Sequence, residues 1–325
     1  MAYLVIFIVL LVVSAASYIA LALPNVGEPE NIKVELTPKR IQRGNYLANH
    51  VTVCVDCHST RKWNEFAAPI DSAIIGAGGE KFDAAVGFPG TVYVPNITPA
   101  HLKDWTDGEL FRAITAGVKK DGSAIFPIMP WQYYATMDRE DVYSIIAYIR
   151  TLKPVETTFP KRELDFPLNL LVNTMPQKAA LGKIPAESDT IKYGAYLVAA
   201  AACRDCHTKD DKGKPLPGMD FAGGHEYTLP GATLHSSNIT PDMATGIGNW
   251  TKEQFVSRFT QYANGTAKPY AVKPGDFQTI MPWWKYGGMK PSDLEAMYAY
   301  LKTVKPVNNR VVKFQANSVA VVNSK

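Results

Sequence analysis

Cys54-Val-Asp-Cys57-His58 and Cys203-Arg-Asp-Cys206-His207 between them contain every cysteine of the chain. Cys-x-x-Cys-His is the sequence to which c-type haem is attached. Two thiols one helical turn apart form thioethers to the two vinyl groups of one haem, and the adjacent histidine is directed at the iron as its proximal ligand. A zinc knuckle would have to bring two distant Cys pairs into one site. A redox-active dithiol needs neither the following histidine nor a second copy. The motifs therefore predict two covalently bound haem c groups, one on Cys54 and Cys57 with His58, the other on Cys203 and Cys206 with His207.

The 325 residues carry a net charge of only +4, evenly spread, which argues against nucleic acid as a partner. Length gives a prior of about two domains of roughly 150 residues each. Apolar residues recur at helical spacing and strand-like alternation is scarce, so the fold class expected is all-α. Pro and Gly cluster in loops such as Phe88-Pro-Gly90 and Lys214-Pro-Leu-Pro-Gly218.

Residues 2–23 contain no charge and are dominated by Leu, Ile, Val and Phe. As a helix they span about 33 Å, enough for a hydrocarbon core of about 30 Å. The stretch reads as a transmembrane anchor. A cleaved signal is the alternative, because Ala20-Leu-Ala22 is an acceptable small-residue cleavage site. A buried soluble helix is disfavoured, since no residue offers a polar face.

An internal repeat of about 150 residues organises the rest. Arg43-Gly44-Asn-Tyr46-Leu47 answers Tyr193-Gly194-Ala-Tyr196-Leu197, and Pro95-Asn96-Ile-Thr98-Pro99 answers Ser237-Asn238-Ile-Thr240-Pro241. Asp104-Trp105-Thr106 pairs with Asn249-Trp250-Thr251, and Ile128-Met129-Pro130-Trp131 with Ile280-Met281-Pro282-Trp283. Ala147-Tyr148 and Ala299-Tyr300 open the last matching stretch, which closes on Pro154 and Pro306. Each copy predicts a first helix (from Pro38, and from about Ser188), a middle helix with a capping box (Thr106/Glu109, Thr251/Gln254), and a last helix (from Asp138, and from Ser292). Val142, Ile145, Ile146 and Ile149 form one face of the last helix, as do Leu294, Met297, Tyr298 and Leu301 in the other copy. Three helices with long loops around a haem resemble the small class I cytochrome c arrangement. The expected organisation is an anchor at 1–23, a linker at 24–36, a first haem domain at 37–156, an inter-domain linker at 157–187, a second haem domain at 188–308 and a tail at 309–325. Phe166-Pro-Leu-Asn-Leu-Leu171 is too apolar for a free linker and is expected to lie against a domain. The polar tail after Val307 is expected to fray or to dock on a partner.

Met129 and Met281 occupy matching places in Met-Pro-Trp loops and are the expected sixth ligands of the two irons, with His58 and His207 opposite. The proline after each stiffens the loop that holds the sulfur. Met137, Met175, Met289 and Met297 are expected to fill core gaps. His50, His101, His225 and His235 lack matching partners in the other copy and read as loop or surface residues. For Asn96 and Asn238, hydrogen bonds to haem propionates compete with an Asx-turn before Thr-Pro. Arg61 and Arg204 read as solvated charges rather than propionate partners, and Trp131 and Trp283 as cover for the haem edge.

The run from Asn238 to Trp250, followed by Met281-Pro-Trp and Ala299-Tyr-Leu-Lys, resembles the cytochrome c subunits of membrane-bound periplasmic dehydrogenases acting on alcohol, gluconate, sorbitol, fructose or aldehydes. The resemblance covers residues 37–307. It implies electron transfer without catalysis by the chain itself, redox protein partners (a dehydrogenase, an oxidase or a quinone-linked complex), and a bacterial inner-membrane location with both haem domains in the periplasm. The family pattern has three haems and a C-terminal membrane helix, whereas this sequence has two attachment motifs and an N-terminal apolar helix. A wiring subunit of a terminal oxidase is the alternative function. A dihaem peroxidase is disfavoured by the two matched Met loops, and a thiosulfate dehydrogenase by the lack of a spare cysteine.

Overall fold

The computed structural model describes residues 1–229, 231–263 and 266–317. Helix α1 (Ala2–Ala22) buries none of its residues, with mean hydropathy 2.8 in its most apolar window. Residues 24–36 are no free linker. Val34 is buried and its N–H donates to Asp107 Oδ2 (2.8 Å), while Glu30 pairs with Arg139 (2.6 Å).

Helices α2 (Pro38–Tyr46), α3 (Cys54–Cys57), α4 (Pro99–Leu102), α5 (Asp107–Ala116), α6 (Trp131–Tyr134) and α7 (Arg139–Ile149) build the first half. After α8 (Leu168–Leu171), the second half repeats most of the series as α9 (Thr190–Ala200), α10 (Cys203–Cys206), α11 (Lys252–Thr260), α12 (Trp283–Tyr286) and α13 (Pro291–Leu301). Local chemistry sets several of these ends. Thr37 caps α2 with Pro38 in the first turn, and both capping boxes are made, Thr106 with Glu109 and Thr251 with Gln254. Helix α13 starts two residues earlier than expected, with Lys290 in place of Ser292 at its head and no side-chain cap. The Lys290 N–H is instead satisfied by the Tyr46 hydroxyl (3.1 Å).

In each half the first helix crosses the last at a glycine. A Cβ on Gly44 would lie 1.8 Å from the Ser144 carbonyl oxygen, and one on Gly194 would lie 1.9 Å from that of Ala296. Only a hydrogen fits at either crossing. The apolar faces expected on the last helices are buried, except that Tyr298 is half-exposed and donates to the Trp250 carbonyl (2.5 Å). They merge with Leu47, Val51, Leu197 and Val198 into a core that runs through both halves.

The all-α expectation needs correction. Strands β1 (Lys81–Phe82), β2 (Gly90–Tyr93) and β3 (Glu163–Leu164) form one antiparallel sheet. Strands β4 (Asp210–Asp211) and β5 (Lys214–Pro215) form a ribbon, and β6 (Glu226–Leu229), β7 (Ala232–His235) and β8 (Phe314–Ala316) form a second sheet. The two sheets fill the long loop between attachment motif and Asn-Ile-Thr loop in each half. Each takes its third strand from the chain beyond the last helix. Two to four residues are too few for alternation to stand out in a sequence. The tail is thus docked on its own half as far as residue 317, and the expectation for residues 318–325 lies outside the described residues.

The halves interlock by exchanging equivalent bonds. Tyr46 Oη donates to Asp293 Oδ2 (2.6 Å) and accepts from the Lys290 N–H. Its counterpart Tyr196 donates to Asp141 Oδ2 (2.6 Å) and accepts from the Asp138 N–H (3.2 Å). This is the pattern of an isologous dimer interface, here within one chain. A further contact has no counterpart: Gln278 bonds the loop at residues 63–67, and Trp284 Nε1 donates to the Phe66 carbonyl (2.8 Å).

Candidate haem centres

Each attachment motif opens on a residue in left-handed backbone, Val53 (φ 45°) or Ala202 (φ 50°). That turn lets the chain enter the one-turn helix α3 or α10, which closes with His58 N–H on the Cys54 carbonyl and His207 N–H on that of Cys203, both 2.9 Å. The two thiols of each pair are thereby one helical turn apart.

The histidine rings are aimed by a second contact. His58 Nδ1 lies 2.8 Å from the Pro95 carbonyl oxygen, and His207 Nδ1 lies 2.7 Å from that of Ser237. A carbonyl only accepts, so Nδ1 carries the proton and Nε2 keeps its lone pair. Burial lowers the pKa of both rings, which keeps them neutral. A neutral imidazole with Nε2 free and Nδ1–H on a carbonyl is the state a metal-ligating histidine requires.

The accepting carbonyls sit on the Asn-Ile-Thr loops. Asn96 Oδ1 accepts from the Thr98 N–H (2.7 Å), and Asn238 Oδ1 from the Thr240 N–H (2.9 Å). Asn96 Nδ2 donates to the Val155 carbonyl and Thr157 Oγ1, and Asn238 Nδ2 to the Val307 carbonyl and Thr245 Oγ1. All donors are used, so the Asx-turn reading holds and the propionate reading does not. Below each loop a glycine closes the frame. Gly78 N–H bonds the His58 carbonyl (2.9 Å) and Gly223 N–H that of His207 (2.8 Å), both at positive φ. A Cβ there would meet Val94 O at 2.6 Å or the Ser237 carbonyl carbon at 2.4 Å.

Met129 and Met281 are half-buried, pack against the core, and share one turn, with the Trp131 or Trp283 N–H on the methionine carbonyl at 2.7 Å. The loops are tied to the attachment motifs by two buried tyrosines. Tyr134 Oη donates to the Thr52 carbonyl (3.0 Å) and Tyr286 Oη to the Ala201 carbonyl (2.9 Å). These ties were missed from sequence, although Trp-x-x-Tyr recurs in both copies. Trp131 is buried over Gly117, and Trp283 stacks on Tyr262 with the Arg258 guanidinium 4.6 Å from its ring.

Several charges differ from expectation. Arg61 is largely buried in an ion pair with Asp56, against expectation, whereas Arg204 meets Asp220 (2.7 Å) in an exposed pair at the surface. The cause is position: Arg61 follows the first motif within reach of the buried Asp56 carboxylate inside it. His50 is half-buried between the halves, its Nδ1 on the Lys285 carbonyl (2.7 Å). His225 pairs with Asp210, His235 lies near Glu226 (3.3 Å), and His101 is exposed. Met137, Met289 and Met297 fill the core, while Met175 is half-buried in the linker.

The residues present fit a covalently attached haem. Burial pushes the thiols of Cys54 and Cys206 up to about 11 and that of Cys203 to about 12. Among the described residues no cluster of three or more His, Cys, Asp or Glu could hold a metal ion. The two motifs also face the junction of the halves. Tyr133 of α6 donates to Asp205 in the second motif (3.5 Å), and the Lys285 carbonyl of α12 lies 2.7 Å from Nδ1 of His50, four residues before the first.

Residues 191–305 match the Cytochrome c family model. The second half is a cytochrome c domain. Covalently bound haem c is therefore its cofactor. Over most of its length the chain is similar to cytochrome c subunits of dehydrogenases. It is 26% identical over 282 residues to the alcohol dehydrogenase (quinone) cytochrome c subunit of Komagataeibacter europaeus, covering 82% of this chain and 56% of that protein. It is 29% identical over 287 residues to the fructose dehydrogenase cytochrome subunit of Gluconobacter japonicus, covering 81% and 52%. A diheme cytochrome c-type protein of Cereibacter sphaeroides is 23% identical over 263 residues, covering 77% and 81%. The chain thus spans about half the length of the dehydrogenase subunits it matches.

Proposed function

We propose that the chain is a membrane-anchored dihaem cytochrome c that takes single electrons from a periplasmic dehydrogenase and relays them to a downstream acceptor. Residues 37–156 and 188–308 are its two class I cytochrome c domains, and residues 1–23 its anchor in the bacterial inner membrane. When bound, each haem supplies a one-electron iron couple. Cys54 and Cys57, with Cys203 and Cys206, hold the two groups covalently. His58 and Met129 would ligate the iron of the first centre, and His207 and Met281 that of the second. Asn96 and Asn238 orient the histidines through the carbonyls of Pro95 and Ser237, and Tyr134 and Tyr286 brace the methionine loops. With His and Met both ligating, each iron would keep no open position for a substrate, and substrate chemistry would belong to the partner.

One observation carries this reading. Both motifs are framed by the same hydrogen bonds and lie near a shared interface, where α6 reaches the second motif and α12 meets His50, four residues before the first. Two linked centres extend the path of an electron without a diffusional step.

The test uses the full chain purified in mild detergent. Its denatured mass should include two haems. Peroxide, thiosulfate or alcohols alone should give no turnover, while a substrate-loaded dehydrogenase that co-purifies with it should reduce both centres. Robust turnover by the isolated chain would make it an enzyme and reject the relay.

A further inference from the structure

The segment between the halves carries apolar side chains turned outward. Phe166 is 82% exposed and Leu171 41% exposed, whereas Val172 beside them is fully buried and anchors the stretch. The segment is pinned to the first half at both ends. On one side β3 pairs with β2; on the other, Gly182 N–H bonds the Thr136 carbonyl (3.1 Å) and Ile184 N–H bonds Asp138 Oδ2 (3.1 Å). Between these pins, α8 and the turn Val172–Thr174 lie against the end of α1, where Asn173 Nδ2 reaches the Ile19 carbonyl (3.4 Å).

That contact sets the depth. Ile19 lies three residues from the end of α1, about 4.5 Å along its axis. A side chain meeting the helix there stands at the boundary between hydrocarbon and headgroups. Tyr18, 61% exposed, marks the same level, and Tyr3 stands near the opposite end of the helix, as in the aromatic belts of spanning segments. Apolar side chains at that depth are buried in the interface, whereas in water they would form an unpartnered patch.

We infer that residues 166–175 form a second membrane contact, with Phe166 and Leu171 seated in the phospholipid interface beside α1. The occupant is lipid because the patch is continuous with α1, a 21-residue apolar helix that has no buried residue. This rests on the reading of α1 as a retained anchor. Two contacts, α1 and this segment, hold the first half in a set orientation on the membrane. Residues 24–36 reinforce it, since their bonds to Asp107 and Arg139 also run to the first half.

The test places nitroxides on the full haem-loaded chain in phospholipid nanodiscs. Introduced cysteines at Phe166→Cys and Leu171→Cys are compared with Lys178→Cys on exposed loop and Val12→Cys within α1. Saturation electron paramagnetic resonance reads the accessibility of each label to oxygen and to a water-soluble nickel chelate. The expected result is a several-fold higher oxygen-to-nickel ratio at 166 and 171 than at 178, approaching that at 12. Ratios at 166 and 171 equal to that at 178, with position 12 still protected, would overturn the lipid contact alone and leave the patch as a protein-docking face. A nickel-accessible label at position 12 would overturn the anchor and this proposal together.

Discussion

Asn96→Ala isolates the frame that aims the proximal histidine. The side chain makes three hydrogen bonds of 2.7 to 2.9 Å and is only 2% exposed. At about 1 kcal/mol net for each, its loss should cost about 3 kcal/mol of stability. The Thr98 N–H loses its partner, and the turn that presents the Pro95 carbonyl to His58 loosens. A histidine donating from Nδ1 is a more basic ligand, which favours ferric iron. Weakening that bond should therefore raise the potential of the first centre. A differential of about 1 kcal/mol corresponds to about 43 mV for one electron, so a rise of roughly 20–40 mV is expected. The second centre, framed separately by Asn238, should not move, and Asn238→Ala should reverse the pattern. A spectroelectrochemical titration resolved into two one-electron steps reads both outcomes, with denaturant unfolding followed in parallel. Lost stability with neither potential changed would refute the link from asparagine to ligand. Movement of both potentials would show that the frames are not independent.

Three further outcomes follow from the same geometry. Met129→His or Met281→His should lower one potential only, because imidazole favours ferric iron relative to thioether, and should remove that centre's share of the methionine-to-iron charge-transfer band. Gly44→Ala and Gly194→Ala should each cost about 1–3 kcal/mol by overpacking, since a Cβ 1.8 or 1.9 Å from a carbonyl oxygen forces the helices apart; unfolding curves that match the parent would refute the crossing. Tyr46→Phe and Tyr196→Phe should cost about 1.5–3 kcal/mol each, as both remove a bond to a carboxylate and strand a backbone N–H at the head of a helix. A cost at one tyrosine and none at the other would argue against the reciprocal interface.

What could be read from the sequence was local. The Cys-x-x-Cys-His spacing, the Thr106 and Thr251 capping boxes and the Thr37-Pro38 start are decided within one helical turn, and the structure forms all of them. The sheets escaped notice because their strands are two to four residues long. Arg61 was misjudged because its carboxylate partner lies inside the motif, on the buried side. The α13 start was misplaced because the Tyr46 hydroxyl that completes it belongs to the other half, and no local pattern encodes a bond across 244 residues. Yet the repeat held part of that information. Gly44 and Gly194 recur although neither favours a helix, and each proves to be a crossing. Tyr46 and Tyr196 recur on a face the local helix does not need, and each reaches across the interface. Positions that differ are equally telling. Where Arg43 holds Asp141 with two bonds of 2.8 Å, its counterpart Tyr193 meets Asp293 with a single longer one at 3.3 Å. Asp138 and Lys290 head equivalent helices with opposite charge. The two halves keep one hydrogen-bond frame around each motif and diverge in charge at the surface they share. Under the dihaem proposal, that difference would give two similarly framed irons unlike electrostatic surroundings, the condition for their potentials to separate and for electrons to prefer one direction.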